Sequence, residues 1–124
     1  MAKSYRDLEI YQNAHKLAVE IHNMTMMELP PLERFEEAIQ IRKASKSIST
    51  NIVEGFGRRK YIGDYLRFLT YSHASCDETM EHLFYLRETD SLSETRSSYF
   101  IENYEILGRK IFSFIQSVQR FHNK

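Results

Sequence analysis

The chain has 124 residues with 17 basic and 17 acidic side chains and one cysteine, which suits a single domain spanning 1–124. Zero net charge argues against a surface built throughout to hold nucleic acid, and the lone Cys76 excludes an internal disulfide. No apolar run approaches the roughly 18 residues of a membrane span and the first nine residues hold no apolar signal core, so a soluble cytoplasmic protein is expected.

Asp7 is placed to cap a helix beginning at Leu8, and Ile10, Ala14, Leu17, Ile21 and Met24 then recur at steps of four and three. Tyr11, Ala18 and Met27 widen this stripe, while Glu9, Lys16, Glu20 and Asn23 face away. Pro30-Pro31 removes backbone donors and ends the helix near Leu29.

The second helix is predicted over about 32–56. Ala38, Ile41, Ser45, Ile48, Ile52 and Gly55 share one apolar face of small residues; Ser45, Ser47 and Ser49, with Ala44, let a neighbouring helix come close. Gly55 and Gly57 are expected at positive φ, stopping the helix. Arg42, Lys43 and Lys46 fall off the apolar face. Arg58-Arg59-Lys60 fill the next turn beside exposed helix carbonyls, so compensation of the helix dipole accounts for one or two of them. Residues 40–67 hold seven bases and two acids, against four and seven in 1–39 and six and eight in 68–124.

The third helix, about 62–87, sets Ile62, Leu66, Leu69, His73, Cys76, Met80 and Leu83 on one stripe, flanked by Tyr65, Phe68 and Leu86. His73 and Cys76 supply two ligands where a structural zinc site needs four, so they read as a core-edge histidine and a core cysteine. The fourth helix, about 94–121, is capped by Ser93 or Asp90 and repeats Phe100, Tyr104, Leu107, Ile111, Phe114, Val118 and Phe121 without a break. Ile101, Phe112 and Ile115 lie beside or beyond that seam. This excess of apolar surface is read as a subunit interface.

Four helices, each roughly 35 to 40 Å long at 1.5 Å per residue and joined by short turns, force antiparallel neighbours. The fold expected is all-α, a left-handed up-down-up-down four-helix bundle with short loops. The enzyme class natural to such a bundle, the di-iron carboxylate site, needs an inward Glu-x-x-His on each of two helices. Gln12, Val19, Thr70, Thr79 and Gln119 stand three residues before the five histidines, so that site is excluded. No phosphate-binding glycine loop is present. The expectation is a protein with no catalytic residue, no metal and no cofactor.

Lys43-Ala44-Ser45-Lys46-Ser47-Ile48-Ser49-Thr50-Asn51-Ile52-Val53-Glu54-Gly55 resembles the Arg-Ala-x-x-Ser-Ile-Pro-Ser-Asn-Ile-Ala-Glu-Gly pattern of the four-helix bundle proteins encoded in 23S rRNA intervening sequences. Asp7-Leu8-Glu9-Ile10-Tyr11-Gln12 is similar to that family's Asp-Leu-x-Val-Trp-Gln opening, and Phe68-Leu69 with Ala74-Ser75-Cys76-Asp77-Glu78 to its Phe-Leu and Gly-Ser-x-x-Glu. The chain departs from the pattern at Ser49 for proline, Val53 for alanine, Ala74 for glycine, which asks for more room at a close helix contact, and Thr79 for leucine. The resemblance implies a four-helix subunit, often assembled as a ring-like homopentamer. Through the related accessory proteins of diversity-generating retroelements, it also implies a basic surface engaging nucleic acid and a reverse transcriptase. Within the shared motif (Ser47, Asn51, Glu54 and Gly55), Asn51 and Glu54 are expected to bond across to another helix or subunit.

Two functions follow as expectations. In the first, an oligomeric bundle meets RNA or DNA phosphates through Arg42, Lys43, Lys46, Arg58, Arg59, Lys60 and Arg67, with Tyr61 and Tyr65 beside them. In the second, a scaffold has its basic block neutralised by Glu33, Glu36, Glu37, Glu78 or Glu81. Carboxylates within about 4 Å of most of the seven cations would select the second.

Overall fold

The computed structural model describes residues 2–122. Each apolar stripe becomes a helix: α1 (Glu9–Met27), α2 (Glu37–Gly57), α3 (Ile62–Glu88) and α4 (Glu94–His122), with no strand among the described residues. Contacts between the helices show how they run. Arg42 of α2 reaches Thr25 of α1 while Lys46 meets His22. Ser72 of α3 reaches Ile48 and His82 reaches Glu37. Cys76 meets the Tyr104 carbonyl and Tyr65 meets Phe114 of α4. Glu28 pairs with Arg96 and Glu9 with Lys110, which closes α4 onto α1. In every pair rising numbers on one helix meet falling numbers on the other, so the chain is an up-down-up-down antiparallel bundle.

The helix ends differ from the sequence reading in three places. Asp7 does not cap α1; it joins Ser4 in a capping box around a short 3-10 turn, Tyr5–Asp7, and the position before α1 is Leu8, without a side-chain cap. The segment expected to open the second helix is instead a 3-10 turn, Glu33–Phe35, followed by Glu36 at φ −118°, ψ −89°, so α2 begins only at Glu37. Neither Gly55 nor Gly57 has positive φ; both lie inside α2, and the only positive φ among the described residues is Asp90 at 57°. There the Asp90 N–H donates to the Arg87 carbonyl and the Ser91 N–H to the Leu86 carbonyl, a Schellman-type stop that satisfies the last carbonyls of α3. Ser93, not Asp90, caps α4, accepting from the Arg96 N–H at 3.2 Å.

The core runs the length of the bundle through Ile21, Met24, Ile41, Ile48, Ile52, Leu69, Leu83, Phe100, Tyr104 and Ile111, each almost wholly buried. The faces predicted for α1 and α2 are the buried ones, apart from Met27, which is exposed. On α3 the buried face is rotated from the prediction: Tyr65, Leu69, Ser72, Cys76, Thr79, Leu83 and Leu86 are inside, while Ile62, Leu66, His73 and Met80 sit at the edge. Ser72 and Thr79 are admitted because their hydroxyls donate to the carbonyls of Ile48 and Ser75, both at 2.8 Å. On α4 the seam is buried from Phe100 to Ile111, half-buried at Phe114 and Val118, and exposed at Phe121. Ile101, expected at a subunit interface, belongs to the subunit's own core; Ile115 is half-buried and Phe112 is exposed.

Candidate functional site

The seven cations that are adjacent in sequence separate into two groups. Arg42, Lys43 and Lys46 sit midway along α2, and roughly 18 Å of helix lies between Lys46 and Arg58. Arg42 is half-buried and structural: its Nη1 donates to Thr25 Oγ1 at 2.9 Å, tying α2 to α1. Lys46 Nζ lies 3.3 Å from His22 Nδ1, and Lys43 is exposed with no ion pair among the described residues.

Arg58, Arg59, Lys60 and Arg67 gather at the turn between α2 and α3. Arg58 and Arg67 flank the Phe68 ring, 5.1 and 5.2 Å from its centroid, and share Asp64 at 3.6 and 3.4 Å; Arg58 also lies 3.5 Å from Glu54. Arg59 lies 3.9 Å over the Phe56 ring and donates to the Phe56 carbonyl at 2.8 Å, so dipole compensation accounts for this one residue. Lys60 stands over Tyr61, which is exposed, whereas Tyr65 is buried and unable to stack on a base.

Among the described residues, only Arg58 and Arg67 of the seven have a carboxylate within 4 Å. Of the five acids expected to neutralise the block, Glu37 alone has an ion-pair partner among the described residues, and that partner is His82, at 2.7 Å. The condition for internal neutralisation is therefore not met within the subunit.

Helix direction brings further cations to the same end. Residues 3–9, 54–67 and 109–122 share it and carry nine bases against four acids. Lys3, Arg6, Arg109, Lys110 and Arg120 were not singled out from the sequence, because the charge was counted along the chain and not by bundle end. Lys110 is partly committed, since its ammonium hydrogen-bonds Glu9 and holds that carboxyl below its ordinary range. The opposite end, residues 28–37 and 87–96, carries seven acids against three bases. Zero net charge thus conceals a bundle that is basic at one end and acidic at the other.

The motif shared with the intervening-sequence family has a packing role here. Asn51 Nδ2 donates to the carbonyl and hydroxyl of Ser47 on its own helix, at 2.8 and 3.0 Å, and Glu54 pairs with Arg58, so among the described residues neither bonds to another helix of the bundle. Ser47 makes the crossing, accepting from Ser75 of α3 at 3.0 Å. Gly55 sits at a close approach: a Cβ there would lie 3.2 Å from Phe68 Cβ, 3.3 Å from Tyr65 Cδ1 and 3.4 Å from the Tyr65 carbonyl oxygen. Ala74 is exposed and needs no extra room within the subunit. Burial pushes the Cys76 thiol up to about 12, a state opposite to that of a reactive nucleophile. Among the described residues no cluster of three or more His, Cys, Asp or Glu could hold a metal ion, and no helix is long and apolar enough to cross a membrane.

No curated protein matches the chain. Among solved structures, a protein with unknown function from the S23 ribosomal protein family of Bacteroides thetaiotaomicron has the same fold, with a TM-score of 0.79 and 20% identity over 86% of this chain and 95% of that one. The family profile described as 23S rRNA-intervening sequence protein matches residues 6–113. That match spans all of α1, α2 and α3 and most of α4, and the chain belongs to the 23S rRNA-intervening sequence protein family.

Proposed function

We propose that this protein is a non-enzymatic helical module that binds the backbone of structured RNA, or of DNA, through the basic end of the bundle. The observation that carries this reading is the gathering of Arg58, Arg59, Lys60 and Arg67 at one exposed turn, with Arg59 and Lys60 free of carboxylates among the described residues. Phosphates compete well for such cations, because binding releases condensed counterions and the guanidinium groups are already held on Phe56 and Phe68. Tyr61, exposed beside Lys60, adds a ring on which an unpaired base can stack. Arg42 leaves this surface for a structural role, and Lys43 and Lys46 extend it only for a ligand that follows α2.

One subunit offers few contacts, so useful affinity calls for several copies on one polymer. Lateral homo-oligomerisation, with the homopentamer implied by the family resemblance, is part of the proposal. It is supported by the apolar α4 surface at Phe112 and Ile115 and by the groove of about 490 Å³ beside Leu8, Ile10 and Phe114.

The test is binding of a structured RNA across a salt series, comparing the protein with its Arg58→Ala/Arg59→Ala/Lys60→Ala variant. The expected result is a linear fall of log affinity with log salt, and in the variant a loss of at least tenfold with a shallower slope. Equal affinity for both proteins, or binding indifferent to salt, would overturn the proposal.

A further inference from the structure

The acidic end carries the three most exposed large apolar side chains among the described residues. Met27, Leu32 and Phe35 are 79%, 81% and 78% exposed, and Met26 and Ile39 beside them are about half exposed. Leu32 and Phe35 lie on the connection between α1 and α2, Met26 and Met27 end α1, and Ile39 is in the first turn of α2; the connection is anchored by the buried Leu29 and by the Glu37–His82 contact. The same end presents Glu33, Glu36, Glu88, Asp90 and Glu94, none of which has an ion-pair partner among the described residues. An apolar cluster in a rim that is acidic on balance, with seven acids against Arg34, Arg87 and Arg96, is a docking surface, and its occupant must bring cations around an apolar centre.

The chain itself displays that complement. Its opposite end shows Arg59 and Lys60 without carboxylate partners among the described residues, and between them and α3 stands Tyr61, 63% exposed. We infer that the acidic, apolar end of one copy docks on the basic end of the next, so that the protein associates head to tail along the bundle axis. The two surfaces differ, so the contact is heterologous and grows openly instead of closing on itself. This contact is distinct from any lateral assembly through α4. Each step adds one unit of whatever assembly exists at high salt, and the attraction is strongest where screening is weak.

The experiment is sedimentation or light scattering across protein concentration at low and high ionic strength. It compares the protein with an acidic-end variant, Glu36→Lys/Glu88→Lys, and a basic-end variant, Arg59→Glu/Lys60→Glu. All four positions are exposed, and far-UV circular dichroism with thermal melting confirms that both variants keep the bundle. The protein is expected to gain mass with concentration at low salt and lose it at high salt. Either variant alone remains at the high-salt mass, because its altered end is left near neutral, with five acids against five bases or seven bases against six acids, and no longer attracts the other. An equimolar mixture adds one unit and stops, since the first variant's unaltered basic end can meet the second's unaltered acidic end while the altered ends no longer attract. Leu32→Ser/Phe35→Ser weakens growth without removing its salt dependence. A mass of the unmodified protein that is independent of concentration and salt, or folded variants whose mixture fails to pair, would overturn the inference. No nucleic acid enters this test, so its outcome is read independently of the RNA reading.

Discussion

The contact between α2 and α3 and the contact between α4 and α1 join helices of the same bundle by opposite means. Between α2 and α3 the backbones approach closely, with Gly55 against Phe68 and Tyr65, Ser72 bonded to the Ile48 carbonyl, and Ser47 to Ser75. Between α4 and α1 long side chains span the gap: Arg96 to Glu28, Tyr99 to Glu20 at 2.6 Å, and Lys110 to Glu9. Space remains there, about 490 Å³ near Leu8 and Phe114 and about 130 Å³ near Glu20 and Asn103. Among the described residues, Glu20 Oε2 and the buried Tyr104 hydroxyl have no hydrogen-bond partner. Stability should therefore reside in the first contact, while the second tolerates change and is the better placed to receive another molecule.

The largest effect that tests this contrast is Leu69→Ala, which opens a cavity where α3 meets the core. A loss of about 2 to 5 kcal/mol is expected in urea unfolding at fixed protein concentration. Next comes Gly55→Ala. Alanine favours a helix by up to about 1 kcal/mol over glycine, but the new methyl meets Phe68 Cβ and the Tyr65 backbone, neither of which can rotate away, so a net loss of about 1 to 3 kcal/mol is expected. Gly57→Ala has open space at its Cβ and negative φ, and should instead stabilise by a few tenths to about 1 kcal/mol. If the two alanines act alike, α2 and α3 are not in the close contact described.

Alkaline pH probes the same core chemically. Burial raises Cys76 from its ordinary 9.0 to about 12 and raises Tyr104 well above its ordinary 10.0. Above pH 9 the unfolded chain releases protons that the folded chain retains, so stability should decline between pH 9 and about 12, by about 1 kcal/mol from Cys76 alone at pH 10. Urea titrations at pH 8 and 10 test this, and Cys76→Ala should reduce the decline. The smallest effect belongs to the bridged contact: Arg96→Ala breaks a partly exposed bidentate pair with Glu28 and should cost no more than about 1 kcal/mol. A larger loss would mean that α4 depends on α1 as strongly as α2 does on α3.

Legibility in the sequence followed the physics of each signal. The apolar periods of α1, α2 and α4 mark buried faces because aliphatic side chains leave water wherever the helix packs. The period of α3 misled, because Ser72 and Thr79 enter the core with their hydroxyls bonded to carbonyls, and their polarity is invisible to burial once satisfied. Gly55 was recognised as special, but for its conformation; the actual reason, a neighbouring backbone, lies on another helix. The loss of Arg42 from the cationic surface rests likewise on Thr25, seventeen residues earlier.

By itself, then, the sequence determined four helices, their order and their antiparallel connection, because 3.6-residue periodicity and short turns act locally. Only the tertiary structure decided which charges work together. Side chains distant in the chain meet at the ends of a bundle, so a sequence of zero net charge becomes a molecule with a basic and an acidic pole. That polarity depends on helix direction and length, and no local pattern carries it.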